Sequence, residues 1–266
     1  MLTSEMSDCS DTPYSSTSSN SSKSSLPSHS IISPAILYFG TPVAIISSLN
    51  EDLTTNLAAI SSVFWLGHRC VLGFGATSQT PINLRARKQC VVNLPDDTMA
   101  GAINALATTT GTPQPSASKL ARGYRFVRDK WAATGLTPQD AAFVAPQRVR
   151  ECPVQLECEV VAELELLRDL PDLRGALVVL EARVLRVHVV DALRLPGHAN
   201  RIDPDRWRPL IMSFQQLYGL APGRVAESVL GRVDEEKYRL VTRSRVVKLD
   251  GDDDKEIVEQ EFKVKS

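Results

Sequence analysis

The chain has 266 residues, and its hydrophobic fraction of 43% is typical of a globular protein with one sizeable core. Its formal net charge is only -1. This charge excludes a general attraction to nucleic acid or to anionic lipid, so any anion must bind at a local site. No apolar run approaches the roughly 20 residues that span a bilayer.

The N-terminus has no basic segment followed by an apolar stretch, so a secretory signal is not expected. The five cysteines are odd in number, and their spacing matches neither a zinc site nor a CxxC redox motif. These observations favour a reducing compartment. We expect a soluble, cytoplasmic protein without a metal site and without a membrane or nucleic-acid partner. The cysteines are Cys9, Cys70, Cys90, Cys152 and Cys158.

Residues 1–33 are rich in serine and poor in apolar side chains. Such a segment cannot bury enough surface to offset its ordering entropy, so we expect a disordered tail. A transit peptide is serine-rich too, but it carries arginine and avoids acids. Here Lys23 stands against Glu5, Asp8 and Asp11, which disfavours that interpretation.

Short runs rich in β-branched residues predict a series of strands, beginning with PVAIISSL. Pro95 ends the last of them, and Asp96 or Asp97 is placed to cap a helix through residue 106. A loop rich in glycine and proline follows at 108–117. The predicted strands are 42–49, 56–66, 70–75 and 89–94.

The clearest strand is 153–164, where apolar and polar residues alternate with period two. Residues 176–190 alternate in the same way until the phase slips at Leu185, which indicates a β-bulge. On the first strand the residues expected to face inward are Val154, Leu156, Cys158, Val160, Ala162 and Leu164. Those expected to face water are Gln155, Glu157, Glu159 and Glu163, and His188 of the second strand is expected on its outward polar face.

Residues 205–218 are interpreted as a helix, with Pro209 in its first turn. The strands far outnumber the helices, which argues for a barrel with inserted and C-terminal helices rather than a doubly wound parallel sheet. The predicted fold class is therefore mainly β. The predicted regions are a tail at 1–33, a barrel domain at 34–195, a C-terminal helical extension at 196–250 and a charged tail at 251–266.

The region between residues 54 and 83 carries the best candidates for ligand binding. Its first part is a strand of small and hydroxyl-bearing residues, whose exposed backbone suits the close approach of a flat ring. Its second part, 75–83, is predicted to be a turn whose hydroxyls and amides can hold a phosphate, with Arg85 and Arg87 adding charge. A purely structural serine- and threonine-rich strand and turn is the alternative. The candidate residues are Thr55, Asn56, Ala58, Ala59, Ser61, Ser62, Gly75, Ser78, Gln79, Thr80 and Asn83.

Five segments in the same order resemble the flavin reductase family of FMN-binding split-barrel proteins. They are PVAIISSLNED, TNLAAISS, TPINLRARKQCVVNLP, the pairs Lys130-Trp131 and Gly135-Leu136, and RVRECPVQLECEV. The resemblance covers roughly residues 38–190. It implies a Greek-key-like split barrel that binds FMN and forms a homodimer.

The resemblance also implies roles for individual residues. Asn56, Ala58, Ser61 and Ser62 would contact the isoalloxazine ring or the ribityl chain, largely through the backbone. Thr80 and Asn83 match the phosphate side of the family's site. Glu151 and Glu157 match the ECPVxLEC pattern and are interpreted as structural.

Three functional hypotheses follow. The first is an oxidoreductase in which FMN accepts hydride from NADH or NADPH and passes electrons to free flavin, a partner oxygenase or another acceptor. Its catalytic residues are unknown, because the flavin carries the chemistry. The sequence has no GxGxxG after a strand, so a Rossmann unit would not hold the nicotinamide. The alternatives are an FMN-binding module without turnover and a dimeric interaction protein that has lost FMN.

Overall fold

The computed structural model describes residues 27–239. The chain divides into two units, Met1–Ala35 and Ile36–Ser266. Residues 27–35, the described part of the first unit, contain neither helix nor strand. The serine-rich segment up to residue 26 and the predicted charged tail at 251–266 lie outside the described residues.

The second unit is built mainly of strands, which confirms the predicted fold class. Its strands are β1 (Phe39–Pro42), β2 (Ala44–Leu49), β3 (Thr55–Ile60), β4 (Val63–Leu66), β5 (Arg69–Gly75), β6 (Gln89–Leu94), β7 (Thr109–Thr110), β8 (Arg125–Phe126), β9 (Pro138–Gln139), β10 (Arg148–Val149), β11 (Val154–Glu165), β12 (Leu177–Val189), β13 (Ile211–Ser213) and β14 (Gln216–Tyr218). Its α-helices are α1 (Gln79–Arg87), α2 (Ala100–Ala107), α3 (Ala117–Ala121) and α4 (Lys130–Thr134). Short 3₁₀ helices occupy Asp97–Met99, Pro171–Leu173, Asp191–Leu193, Val229–Arg232 and Glu235–Tyr238.

Seven strands form one antiparallel sheet in the order β3-β2-β6-β11-β12-β5-β4. Its two edge strands, β3 and β4, follow each other in the chain. The sheet therefore curls so that its edges meet at Ser61 and Ser62, where the Gly73 amide donates to the Ser62 carbonyl at 2.8 Å. Residues 56–66 were predicted as one strand, and that prediction is wrong because the chain passes from one sheet edge to the other at these two serines.

The sheet has a hydrophobic core on each face because successive side chains of a strand alternate between faces. On β2, Ala44 and Ile46 belong to the core inside the curled sheet, and Ile45 belongs to the second core, which α2 and α4 cover. Both cores consist of fully or nearly fully buried side chains. The alternation also decides the direction in which each polar residue near the end of β2 and β3 points.

The phase slip at Leu185 is a β-bulge, as predicted. Glu157 pairs with Arg186 and Cys158 pairs with Val184, so Leu185 has no partner across the ladder. The predicted cap is also confirmed, because Asp96 Oδ1 accepts a 3.0 Å hydrogen bond from the Thr98 amide just before α2.

The predicted outward face of β11 is wrong at two positions and its inward face at two others. Gln155 and Glu157 are 5% and 0% exposed. Gln155 is covered because its Nε2 donates to the carbonyls of the turn at Val149 and Cys152. At its far end β11 extends past the core, so Ala162 and Leu164 lie exposed instead of inward.

The predicted helix at 205–218 is wrong, since residues 211–218 form the hairpin β13-β14, which pairs with β1. Phe214 and Gln215 adopt positive φ angles of 45° and 65°, which form the two-residue turn of a tight hairpin. Pro209, which lacks an N–H group, lies in an extended bridge opposite Asp96. The described part of the predicted helical extension, residues 196–239, contains only strands and 3₁₀ helices.

Candidate functional site

A cluster of polar side chains connects the ends of β2 and β3 to the first turns of α1. The Asn56 Nδ2 donates to Thr80 Oγ1 at 3.3 Å. The Asn83 Nδ2 donates to Ser48 Oγ at 3.1 Å and to Asn50 Oδ1 at 3.0 Å. Asn56, Thr80 and Asn83 are almost fully buried, so these bonds hold the helix firmly on the strand pair.

Residues 75–83 are not the predicted turn throughout, because α1 begins at Gln79. Ser78 is the N-cap with an extended backbone (φ -75°, ψ 153°), and its side chain makes no capping hydrogen bond. Pro81 lies in the first turn, a position where its missing N–H group costs nothing. The predicted phosphate residues Ser78, Gln79 and Thr80 therefore lie at a helix start.

The start of α1 is suited to an anion. The first N–H groups of a helix have no partners within it, and the helix dipole makes this end positive. The first turn of α1 contains no acidic residue whose carboxylate would compensate this positive end. Phosphate binding by this helix end would use the free hydroxyl of Ser78 and the amides of Gln79 and Thr80.

The segment 109–112 lies directly against this cluster. A Cβ atom added to Gly111 would come within 2.5 Å of Asn56 Oδ1 and 3.0 Å of Gln79 Cγ, so only glycine permits this approach. The neighbouring Thr112 Oγ1 is buried without a hydrogen-bond partner among the described residues. A buried hydroxyl without a partner is costly, so Thr112 carries an unused hydrogen-bonding group in the segment next to the cluster.

The opposite face of the β2-β3 end opens into a cleft of about 830 Å³. Leu49, Thr54 and Thr55 contribute the strand side of the cleft. Its other sides come from the start of α4 and from residues 140–147; they are formed by Arg128, Asp129, Trp131, Asp140, Ala145 and Gln147.

Lys130 is a residue that the predicted site omitted. Its Nζ donates to the backbone carbonyl of Leu57 on β3 at 2.7 Å, and only 3% of the residue is exposed. Burial, with a smaller contribution from the charge of Lys119, lowers the pKa of Lys130 to about 8. The Lys130-Trp131 motif in the sequence already pointed to this lysine. Only the fold shows that its ammonium group binds β3, the strand that carries the candidate ring-binding residues.

The predicted site residues do not all come together. Asn56 and Thr80 lie in the polar cluster, whereas Ala59 packs into the core under α2 and α4, on the other face of β3. Thr55 lines the cleft on that same face. Ser61 and Ser62 lie at the far end of β3, where Ser62 Oγ is 3.0 Å from the Tyr38 hydroxyl.

Both arginines of α1 have hydrogen-bond partners within the protein. Arg85 makes hydrogen bonds to Glu163 through Nε and Nη2 and donates to the Ala76 carbonyl through Nη1 at 3.0 Å. Arg87 donates to the Glu51 carbonyl at 3.3 Å. The Arg85 guanidinium is paired with Glu163 of β11, and a contribution of its charge to phosphate binding stays a prediction.

Residues 27–239 contain no group of three or more metal-ligating side chains arranged to hold a metal ion. Over the same residues, no helix is both long and apolar enough to cross a membrane.

The sheet split between β3 and β4, with a polar cluster and a helix start beside β3, defines a split-barrel protein. The chain belongs to the flavin reductase like domain family, whose model matches residues 36–216. Membership in this family implies flavin binding.

Among relatives, the chain is 34% identical over 189 residues to the uncharacterized protein YdfE of Bacillus subtilis (strain 168), covering 71% of this chain and 88% of the relative. Solved structures share the fold at lower identity. Flavoredoxin of Desulfovibrio vulgaris (Miyazaki F) superposes with a TM-score of 0.61 at 15% identity, over 77% of this chain and 100% of that chain. Nitrilotriacetate monooxygenase component B from Bacillus cereus superposes with a TM-score of 0.57 at 19% identity, over 71% of this chain and 88% of that chain.

Proposed function

We propose that this protein is an FMN-dependent reductase that takes hydride from NADH or NADPH and passes electrons to a second acceptor. The observation that carries the proposal is the helix start of α1 beside the polar cluster, in a chain of the flavin reductase family. FMN, once bound, supplies the hydride chemistry, and the protein supplies binding, orientation and electrostatics.

The residues divide into two groups for the two ends of FMN. Ser78, Gln79, Thr80 and Thr112 are proposed to bind the phosphate. The ring is proposed to lie along the free edge of β3, since β3 pairs only with β2 and its other edge faces no strand. Small side chains such as Ala58 leave that edge accessible.

Lys130 supports this placement of the ring. Its ammonium is fixed by the Leu57 carbonyl at the free edge of β3, in a buried environment where a charge acts strongly on its neighbours. A cation beside this edge favours negative charge on a bound ring. The nicotinamide is proposed to reach the ring from the cleft beside Thr54 and Thr55.

The absorbance spectrum of freshly purified protein, recorded before and after anaerobic addition of NADH or NADPH, tests the proposal. We expect flavin absorption that one of the two nicotinamides bleaches. Flavin absorption that neither nicotinamide bleaches would leave only a flavin-binding module. Colourless protein without thermal stabilisation by FMN would contradict flavin binding itself, because a ligand at about 100 times its Kd adds about 2.7 kcal/mol.

A homodimer is proposed as the working assembly. Phe64 and Leu66 of the edge strand β4 and Leu185 at the bulge of β12 leave 51%, 67% and 40% of their surfaces exposed. Exposed apolar side chains on an edge strand favour association. A molar mass of one chain, measured by light scattering at micromolar concentration, would contradict the dimer.

A further inference from the structure

Glu157 of β11 has its side chain fully buried, and every hydrogen bond to it comes from outside its own strand. The Ala142 amide donates to Oε1 at 2.9 Å and Oε2 at 3.1 Å. The amides of Phe143 and Val144 donate to Oε2 at 2.5 and 3.2 Å. His188 Nε2 of the paired strand β12 lies 2.6 Å from Oε1.

Three consecutive backbone amides thus surround one carboxylate. Burial by itself would raise the pKa of Glu157, but the hydrogen bonds from Ala142, His188 and Phe143 outweigh it, so that the pKa lies below its usual value. The side chain is therefore an anion at neutral pH. A buried anion that lost these donors would be strongly destabilising, so the carboxylate and the segment that carries the amides depend on each other.

We define the segment 140–147 as the cleft loop. It has further attachments to the sheet: the Ala145 amide donates to Gln89 Oε1 at 3.0 Å. The Arg186 guanidinium lies 4.0 Å from the centre of the Phe143 ring, within the range of a cation–π contact. Among these attachments of the cleft loop, Glu157 makes the most contacts, because its carboxylate accepts from three of the loop's amides.

The other side of the cleft loop contributes Asp140, Ala145 and Gln147 to the 830 Å³ cleft beside Thr54 and Thr55. The residues that Glu157 holds, 142–144, lie between these lining residues in the chain. Any shift of the backbone at 142–144 therefore moves the lining residues on both sides of it.

We propose that Glu157 is a positioning residue, which holds the cleft loop in the place where it completes the nicotinamide-binding side of the cleft. This inference rests on the proposed reductase function. It assigns a role in substrate affinity to a side chain that lies on the outward phase of a strand and does not line the cleft.

The test compares Glu157→Gln with Glu159→Gln. Glu159 lies two residues away on β11, and its exposed side chain pairs with Arg183, so the control makes the same substitution without touching the cleft loop. Four quantities are measured for each protein: KM and kcat for the nicotinamide, Kd for FMN, and amide hydrogen exchange of peptides covering 140–147 and β11.

For Glu157→Gln we expect faster exchange in the cleft loop, unchanged protection of β11 and a rise of about tenfold in the nicotinamide KM, with kcat changed less than about twofold. Glu159→Gln is expected to match wild type in all four quantities. Unchanged exchange in the cleft loop would overturn the proposal, and so would a mobile loop with unaltered KM.

If Glu157→Gln does not fold, His188→Ala removes one donor and leaves the carboxylate in place. The same changes are then expected in the same direction, and wild-type values for this variant would overturn the proposal.

If wild-type protein does not oxidise either nicotinamide, the proposed function fails by itself. Binding of NADH or NADPH is then measured directly, and equal affinities for wild type and Glu157→Gln would overturn the positioning role as well.

Discussion

Lys130 shows at the residue scale how burial couples charge to stability. Its pKa of about 8 lies below the value of 10.5 expected when the side chain is exposed. At a pH between these two pKa values, the unfolded state binds more protons than the folded state. The free energy of unfolding therefore rises as the pH rises through this interval. The gain at full deprotonation is about 3 kcal/mol.

Lys130→Met removes this contribution. Between about pH 7.5 and about pH 10, the free energy of unfolding is expected to rise by about 2–3 kcal/mol more in wild type than in the variant. Urea unfolding at the two pH values measures the difference, with Lys237→Met, at an exposed position, as the control that keeps the wild-type behaviour. An equal gain in wild type and Lys130→Met would show that the ammonium is not buried as described.

Thr80 is the residue by which the proposed phosphate site is most directly tested. Its hydroxyl accepts from Asn56 and keeps its own hydrogen for a ligand. A hydrogen bond to a charged group is worth about 1.5–3 kcal/mol, so Thr80→Ala should weaken FMN binding about ten- to hundredfold. Fluorescence titration with FMN measures the Kd of each protein. Thr98→Ala, which removes a hydroxyl bonded to Asp96, should keep the wild-type Kd, and an unchanged Kd in Thr80→Ala would refute the assignment.

At the scale of elements, the close approach of segment 109–112 to α1 and β3 depends on Gly111. The Cβ of alanine there would stand 2.5 Å from Asn56 Oδ1, so either the segment or the asparagine must move. We expect Gly111→Ala to destabilise the protein by about 1–3 kcal/mol and to weaken FMN binding.

Gly101 in α2 is the matched control for Gly111. A Cβ added there meets nothing within 4 Å, and alanine is the better helix former by about 1 kcal/mol. Thermal unfolding should therefore move in opposite directions for the two alanine variants. A stabilised Gly111→Ala would mean that segment 109–112 does not lie against the polar cluster.

On the scale of the whole molecule, the segment 209–218 packs onto the barrel as a bridge and a hairpin instead of forming the predicted helix. Leu210 is 2% exposed in the core beneath α2 and α4. The Val43 amide donates to its carbonyl at 2.9 Å, and its own amide donates to the Pro95 carbonyl at 3.2 Å. The segment is thereby attached both at β2 and at the end of β6.

Leu210→Ala is expected to lower the free energy of unfolding by about 2–5 kcal/mol, as in other buried leucine truncations. Leu220→Ala, at a position 50% exposed, should stay within about 0.5 kcal/mol of wild type. Denaturant titration of the full chain compares them. A Leu210→Ala protein as stable as the control would indicate that residues after 195 fold apart from the barrel.

The sequence alone determined those features that depend on neighbouring residues. Alternation identified β11 and β12 and placed the bulge at Leu185, and the Asp96 cap preceded its helix as expected. These signals are local, because strand pleat and capping involve residues within a few positions of each other. The motifs that resemble the flavin reductase family also lie in linear order along the chain, so they indicate the family without any tertiary contact.

Only the tertiary structure decided which polar residues are buried and what they touch. Glu157 belongs to the outward phase of its strand, yet residues 142–144 cover it, and no pattern within β11 contains that information. The region 205–218 is interpreted as a helix from the sequence, but pairing with β1 makes residues 211–218 a hairpin. In both cases contacts between residues distant in the chain outweigh local preference, because their hydrogen bonds and burial contribute more free energy than intrinsic propensity does.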